Sequence, residues 1–429
     1  MPLANISELS TGSQFPPERE RSRYQEMNKH FEFTKRKYLN QANDENAGKR
    51  RLQPNIYRFL SEFWKDTVVA DAPVFNYEGN PRIEQGLEAL APALVTASER
   101  VVEDMIIYGV GCFLNRNAFQ PQVIDPRYWY PVRDPSDESV GDTDIVAYTY
   151  RAAPFGTADH VVVMVFENGT LTRRIHTLDG LTIGGVTETI EELAGIPAVV
   201  PVRLGPGFYG TSDFLDAEEY VNDLHRRESK VSEALDRQAN PHLAMPEAAM
   251  SVNSQGQAVV DIDGMVIPVP ENQQTPPKYV VWNAAFDAQH AAIKRDEDRI
   301  LKFSKISPIL VDPEVKLGAI SGTALRRMAL PTVQKIKNIR QSLTEGLKDT
   351  IIAQFDLLAR TGGEVFPIER DAISITWPVE LSGGITDEAD ELAKLVGAGL
   401  IDVPTMIQLL ARVSAEDANR ISEQNNGTE

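Results

Sequence analysis

Residues Gly205 to Gln238, GPGFYGTSDFLDAEEYVNDLHRRESKVSEALDRQ, constrain the fold more than any other stretch. A glycine-rich turn follows a strand-like run, Ala198–Leu204, and Ser212 and Asp213 supply an oxygen cap and a negative charge at a helix start. Apolar residues recur at Phe214, Ala217, Val221, Leu224, Val231 and Leu235, the spacing of one helical face, over roughly 40 Å. The polar run HRRESK, His225 to Lys230, breaks that stripe in its middle. So long a helix with so thin a stripe suits sideways packing against further copies better than the core of one chain. Val221, Leu224, Val231 and Leu235 are therefore expected to be contacts between subunits.

With 429 residues, 42% of them hydrophobic, the chain can bury a core of two to four modules. No apolar run is long enough to span a membrane, and the first residues lack the charged-then-apolar pattern of a secretory leader. The single cysteine, Cys112, excludes an internal disulfide, and its setting YGVGCFLN reads as a buried structural thiol. A reducing cytoplasm is the expected site of assembly.

The formal charge of −19 is unevenly spread. Met1 to Leu60 holds 11 Lys/Arg against 7 Asp/Glu, Phe208 to Gln238 holds 4 against 8, and Phe366 onward holds 4 against 12. Such a chain is not a sequence-independent DNA binder of the kind that works by neutralising phosphates, so contacts with nucleic acid should be glancing.

The order of elements is that of an α+β protein, mostly helical. Helices are expected over Pro17–Gln41, around Ile56, Phe59, Leu60, Phe63 and Trp64, and over Pro92–Tyr108, where Gly109 stops the last one. Short β-type runs fill Cys112 to Leu204, with a hairpin turn at Asn168-Gly169. Beyond the long helix, Asn240-Pro241 opens a proline-rich module reaching Trp282, with a hairpin in QAVVDIDGMVIPV turning at Asp263-Gly264. A second helix, Ala284–Lys305, and a loop, Ile306–Ile320, precede a third long helix from Ser321-Gly322-Thr323 to Arg360, bent at Pro331. A strand, ISITWPV, and three short helices complete the chain.

Chemistry finds little foothold. Gly205-Pro-Gly207-Phe-Tyr-Gly210 matches the dinucleotide pattern G-x-G-x-x-G, but Pro206 removes a backbone donor. Asp213, Asp216, Glu218 and Glu219 also crowd the place of a pyrophosphate, so a structural turn is the better reading. The six histidines show no ligand spacing, and the acidic loop Asp134–Asp144 lacks a calcium register. No cofactor and no catalytic residue is expected.

Four phrases in this order resemble the portal proteins of tailed double-stranded DNA phages. EDMIIYGVGCFLNRN followed by VIDPRYWYPV is similar to the portal wing, and GFYGTSDFLDAEEYVNDLHRRESKVSEALDRQANPHL to the stem helix with its asparagine-proline exit. SPILVDPEVKLGAISGTALRRM resembles the tunnel loop and the next helix start, and DELAKLVGAGLIDVPTMIQLL the crown, with clip and crown both short here.

The resemblance implies a helical part of the wing over 1–110, a β-rich wing over 111–210, a stem helix over 211–240 and a clip over 241–283. A second stem helix over 284–305, a tunnel loop over 306–321, a long helix and strand over 322–385 and a crown over 386–429 follow. It also implies a dodecameric ring at one capsid vertex of the virion, passing double-stranded DNA and docking the terminase large subunit, head-completion or adaptor proteins, and the major capsid or scaffold protein. Lys305 and Lys316 would face DNA from the tunnel loop, and Asp261, Asp263 and Gly264 would mark the docking turn of the clip. Two other classes fit the residues less well: another structural virion protein, such as an adaptor or minor capsid component, and a nucleotide-binding enzyme resting on the Gly205 turn.

Overall fold

Helix α3, Pro81–Tyr108, is the spine of the molecule. The Asn80 side chain accepts the Arg82 N–H at 3.1 Å and Pro81 takes the first turn, where its missing donor costs nothing. The helix thus begins at Pro81 and not at Pro92, the expected start. Pro92 lies inside it because Ile83, Leu87, Leu90 and Leu94 keep the buried stripe running through that position. Gly109 ends the helix with φ +86° and its N–H on the Met105 carbonyl.

In this computed structural model the described residues are 2–35, 54–133, 143–151, 159–167, 170–192, 199–239, 242–246, 251–252, 258–259, 266–269, 278–280, 286–311, 322–360 and 367–378. Helices α1, Arg21–Lys35, and α2, Ile56–Val69, pack on α3, with Leu60, Trp64 and Val68 fully buried between α2 and its neighbours. Strand β1, Val74–Tyr77, lies between α2 and α3 in sequence. Strand β2, Val110–Asn117, runs directly out of α3 and is the centre of a three-stranded antiparallel sheet. Its flanking strands are β3, Gln120–Ile124, and β9, Val200–Arg203. Backbones meet at Gly111, where a β-carbon would stand 2.3 Å from the Val101 carbonyl oxygen.

A five-stranded antiparallel meander follows: β4, Trp129–Val132; β5, Thr143–Tyr150; β6, His160–Glu167; β7, Thr170–Asp179; and β8, Thr182–Glu192. The expected β6–β7 hairpin is present, since Glu167 pairs with Thr170 across two residues. The unbroken apolar run of β6 is explained by burial on both faces. Val162, Met164 and Phe166 join the main core, whereas Val161, Val163 and Val165 join a second core with Leu3, Leu9, Phe15 and Ile183. The N-terminal residues close that second face, with Leu3 N–H on Pro131 O and Phe15 N–H on Leu181 O.

Helix α4, Glu218–Ala239, follows β9 after the glycine turn. Helix α5 is Phe286–Phe303, and α6, Gly322–Arg360, runs beneath the central sheet with Pro331 inside it. Strand β15, Ile373–Thr376, the last described strand, pairs antiparallel with β1. Between α4 and α5 lie β10, His242–Pro246; β11, Ser251–Val252; β12, Ala258–Val259; β13, Val266–Val269; and β14, Lys278–Val280. Among the described residues the two halves of the expected QAVVDIDGMVIPV hairpin do not pair with each other. β12 pairs with β11, whereas β13 lies parallel to β10 in a sheet completed by β14. A four-residue parallel register with β10 satisfies more of β13's backbone than the two-residue β12 could. The turn residues Asp261, Asp263 and Gly264 lie outside the described residues, as do Lys316 and the three short helices expected after the last strand. Among the described residues no helix is long and apolar enough to cross a membrane.

Candidate functional site

The glycine turn at 205–210 serves the fold. Gly205, Gly207 and Gly210 have φ of +75°, +102° and +67°, and a β-carbon on Gly210 would stand 2.1 Å from the Gly109 carbonyl oxygen. Leu204 N–H bonds Gly109 O at 2.7 Å, Thr211 N–H bonds Leu204 O at 2.7 Å, and Asp213 N–H bonds Ile106 O at 3.0 Å. The turn is therefore filled by the end of α3, where a nucleotide reading needs open space. β9 is moreover antiparallel to β2, contrary to the parallel sheet that reading requires.

Ser212 does not cap the long helix as expected, because that helix begins only at Glu218; its Oγ accepts the Phe214 N–H within the preceding turn and donates to Ile107 O at 2.7 Å. Asp213 departs from its expected role as a charge at the helix terminus. It is turned inward, where Lys335 Nζ of α6 donates to its carboxylate. The same Nζ donates to Ser304 O at 3.1 Å and sits 4.3 Å from the centre of the Trp64 ring. Burial pushes the Asp213 carboxyl up and the Lys335 ammonium down, and their mutual attraction opposes both shifts. Four parts of the chain meet in this contact: the approach to α4, the end of α5, α2 and α6.

One turn earlier on α6, buried Thr332 holds the chain that leaves α5. Its Oγ1 accepts the Ser307 N–H at 2.8 Å and donates to Lys305 O at 2.9 Å. Lys305 itself has φ +59°. Ile306 N–H reaches back to Leu301 O and Lys305 N–H to Lys302 O, the two bonds of a left-handed helix stop whose usual residue is glycine. Lys305 is exposed where the chain leaves α5.

Helices α4 and α5 form an antiparallel pair. Tyr220 stacks on Phe303 with ring centres 5.1 Å apart, and Arg227 Nε bonds the buried Asp296 at 2.8 Å. Seven residues forward on one helix is thus seven back on the other, about two turns. The strands from β10 to β14 connect the far ends of the pair.

The expected subunit contacts divide. Val221 and Leu224 are buried in the chain's own core with Phe214 and Ala217, and Val231 is buried as well. Leu235 is 50% exposed. The correction has a physical cause: the start of α4 is built into the protomer's own core and the helix packs along α5, so the thin stripe is covered without a neighbour. Sequence reasoning missed Thr332, Lys335 and Asp296. The readable signal for the first two was their position beside the stripe Ile336, Ile339, Leu343, where exposed polar residues are not expected.

Cys112 is fully buried and burial pushes its thiol up, as befits a structural residue. Among the described residues no group of histidine, cysteine and carboxylate side chains could hold a metal ion.

No curated protein matches the chain in sequence. Among solved structures, a chain of the virion of a native gene transfer agent particle is 12% identical, with 83% of this chain and 89% of that chain covered at a TM-score of 0.45. A chain from the neck of the native particle, computed with C12 symmetry, is likewise 12% identical over the same shares, at a TM-score of 0.41. A family model described as phage portal protein, SPP1 Gp6-like, matches residues 18–429. With nearly its whole length matched, the chain belongs to the SPP1 Gp6-like family of phage portal proteins.

Proposed function

We propose that the chain forms a ring at one vertex of a viral capsid, and that double-stranded DNA passes through the ring when the particle is filled and emptied. The observation that carries this reading is the portal-family match over residues 18–429. The geometry supports it. The antiparallel pair α4–α5 makes a rod braced at one end on the α2–α3–α6 core, and the β10–β14 strands lie at its other end. A rod with a separate small module at its tip suits a projecting contact surface. On this reading residues 241–283 dock the packaging motor and later the adaptor proteins, and the loop after α5 narrows the passage with Lys305 and Lys316 towards DNA.

Twelve copies is the count implied by the resemblance to portals. Leu235 is the residue of the α4 stripe left to touch a neighbouring copy, because the others are covered. An overall charge of −19 suits a conduit, since tight phosphate binding by every copy would turn a passage into a trap. The family is one of structural virion proteins, and no catalytic step is proposed.

Gold labelling of purified particles through an epitope on this chain tests the placement. Label at a single vertex of each particle is the expected result; label spread over the shell would make the chain a general capsid component.

A further inference from the structure

From Gly322 to Thr344, helix α6 carries Arg326, Arg327, Lys335, Lys337 and Arg340 and not one Asp or Glu, in a chain whose net charge is −19. Two of these cations are used internally. Lys335 is held by Asp213, and buried Arg340 donates to Val68 O and Pro378 O. Arg327 and Lys337 are exposed, and among the described residues neither makes an ion pair.

At 100° per residue, Arg327, Gln334, Lys337, Asn338 and Gln341 fall on one side of the helix, and all five are exposed. Gln334 donates to Asn338 Oδ1 at 3.0 Å, and Leu330, 60% exposed, shares that side. The same side turns acidic at Glu345 and Asp349, and there Arg370 answers both carboxylates at 2.8 and 2.9 Å. Thr332, which holds Lys305 and Ser307, lies on the opposite, buried side of the same turns.

Resting on the conduit reading above, we infer that the acid-free side of α6, Arg327 to Gln341, faces the phosphate backbone of the double-stranded DNA in transit. The argument is charge complementarity at low strength. Two cations and three amides can each donate to phosphate oxygens without reading sequence, and the absence of carboxylates removes the repulsion present elsewhere on this chain. Few cations per copy keep each contact weak, as sliding requires. An acidic partner protein would select a denser basic patch than two cations.

The test uses filled particles carrying a photoreactive phenylalanine derivative in place of Asn338. Irradiation should yield a chain–DNA adduct that nuclease trims. An adduct between two copies of the chain, with none to DNA, would overturn the inference and make this side a subunit interface, while leaving the conduit reading intact. In parallel, the variant Gln334→Glu with Asn338→Glu should form normal rings and lower the yield of filled particles severalfold. Rings and filling both unchanged would overturn the inference. Filled particles that form without any ring of this chain would instead overturn the conduit reading itself.

Discussion

Lys335 and Asp213, 122 positions apart in sequence, form a largely buried ion pair where the approach to α4 and the end of α5 meet α6. Loss of either residue leaves the other's charge largely buried without its partner. Asp213→Asn or Lys335→Met alone should each cost about 3–5 kcal/mol, whereas the double replacement should recover most of the loss. Urea unfolding of the three variants checks this; equal costs for single and double replacements would show that the two residues act independently.

Lys305 combines a charge at the loop mouth with a backbone that glycine prefers. Lys305→Gly should therefore stabilise the chain by about 1 kcal/mol, and Lys305→Gln should leave stability unchanged. If the charge helps retain DNA, particles of both variants will leak in the same degree despite their opposite backbones. Leakage from the glycine variant alone would assign the effect to loop stiffness.

Gly207 and Gly210 share positive φ but not surroundings. A β-carbon at Gly207 meets nothing within 4 Å, while at Gly210 it would collide with the Gly109 carbonyl. Gly207→Ala should cost about 1–2 kcal/mol, the strain of the left-handed backbone, and Gly210→Ala should cost more and lower the yield of folded protein. Thermal unfolding of the pair separates strain from collision.

His30 is buried with Nδ1 3.1 Å from Ile107 O, and burial pushes its proton affinity below the ordinary histidine range. The folded chain thus keeps the ring neutral at a pH where the unfolded chain takes a proton. Its contribution to stability is whole above pH about 6.5 and is lost as pH falls below it. Urea midpoints should drop more steeply between pH about 7 and 5 in the wild type than in His30→Gln. Parallel slopes would place the acid sensitivity elsewhere.

Local patterns were legible in the sequence wherever they could be satisfied locally. The two-residue hairpin at Asn168-Gly169 and the stop at Gly109 are examples, as is the run of α6 through Leu343 and Leu347. Pro92 misled because a proline inside a helix and a proline at a helix start look alike until the upstream stripe of Ile83 and Leu87 is weighed. Asp213 misled for a different reason: its partner lies in another helix, and no local pattern encodes Lys335. The same holds for Val221 and Leu224, which are covered within the chain's own core, and for β13, which found β10 and left the nearer β12. The family was readable from the order of elements; which surfaces remain free for neighbours was decided by packing.

Electron microscopy of the purified full-length chain tests the central claim most directly. Class averages should show closed rings with an axial opening wide enough for a DNA duplex, and Leu235→Asp should weaken or break them while each chain stays folded. Monomers across the accessible concentration range, with no ring at any of them, would contradict the account.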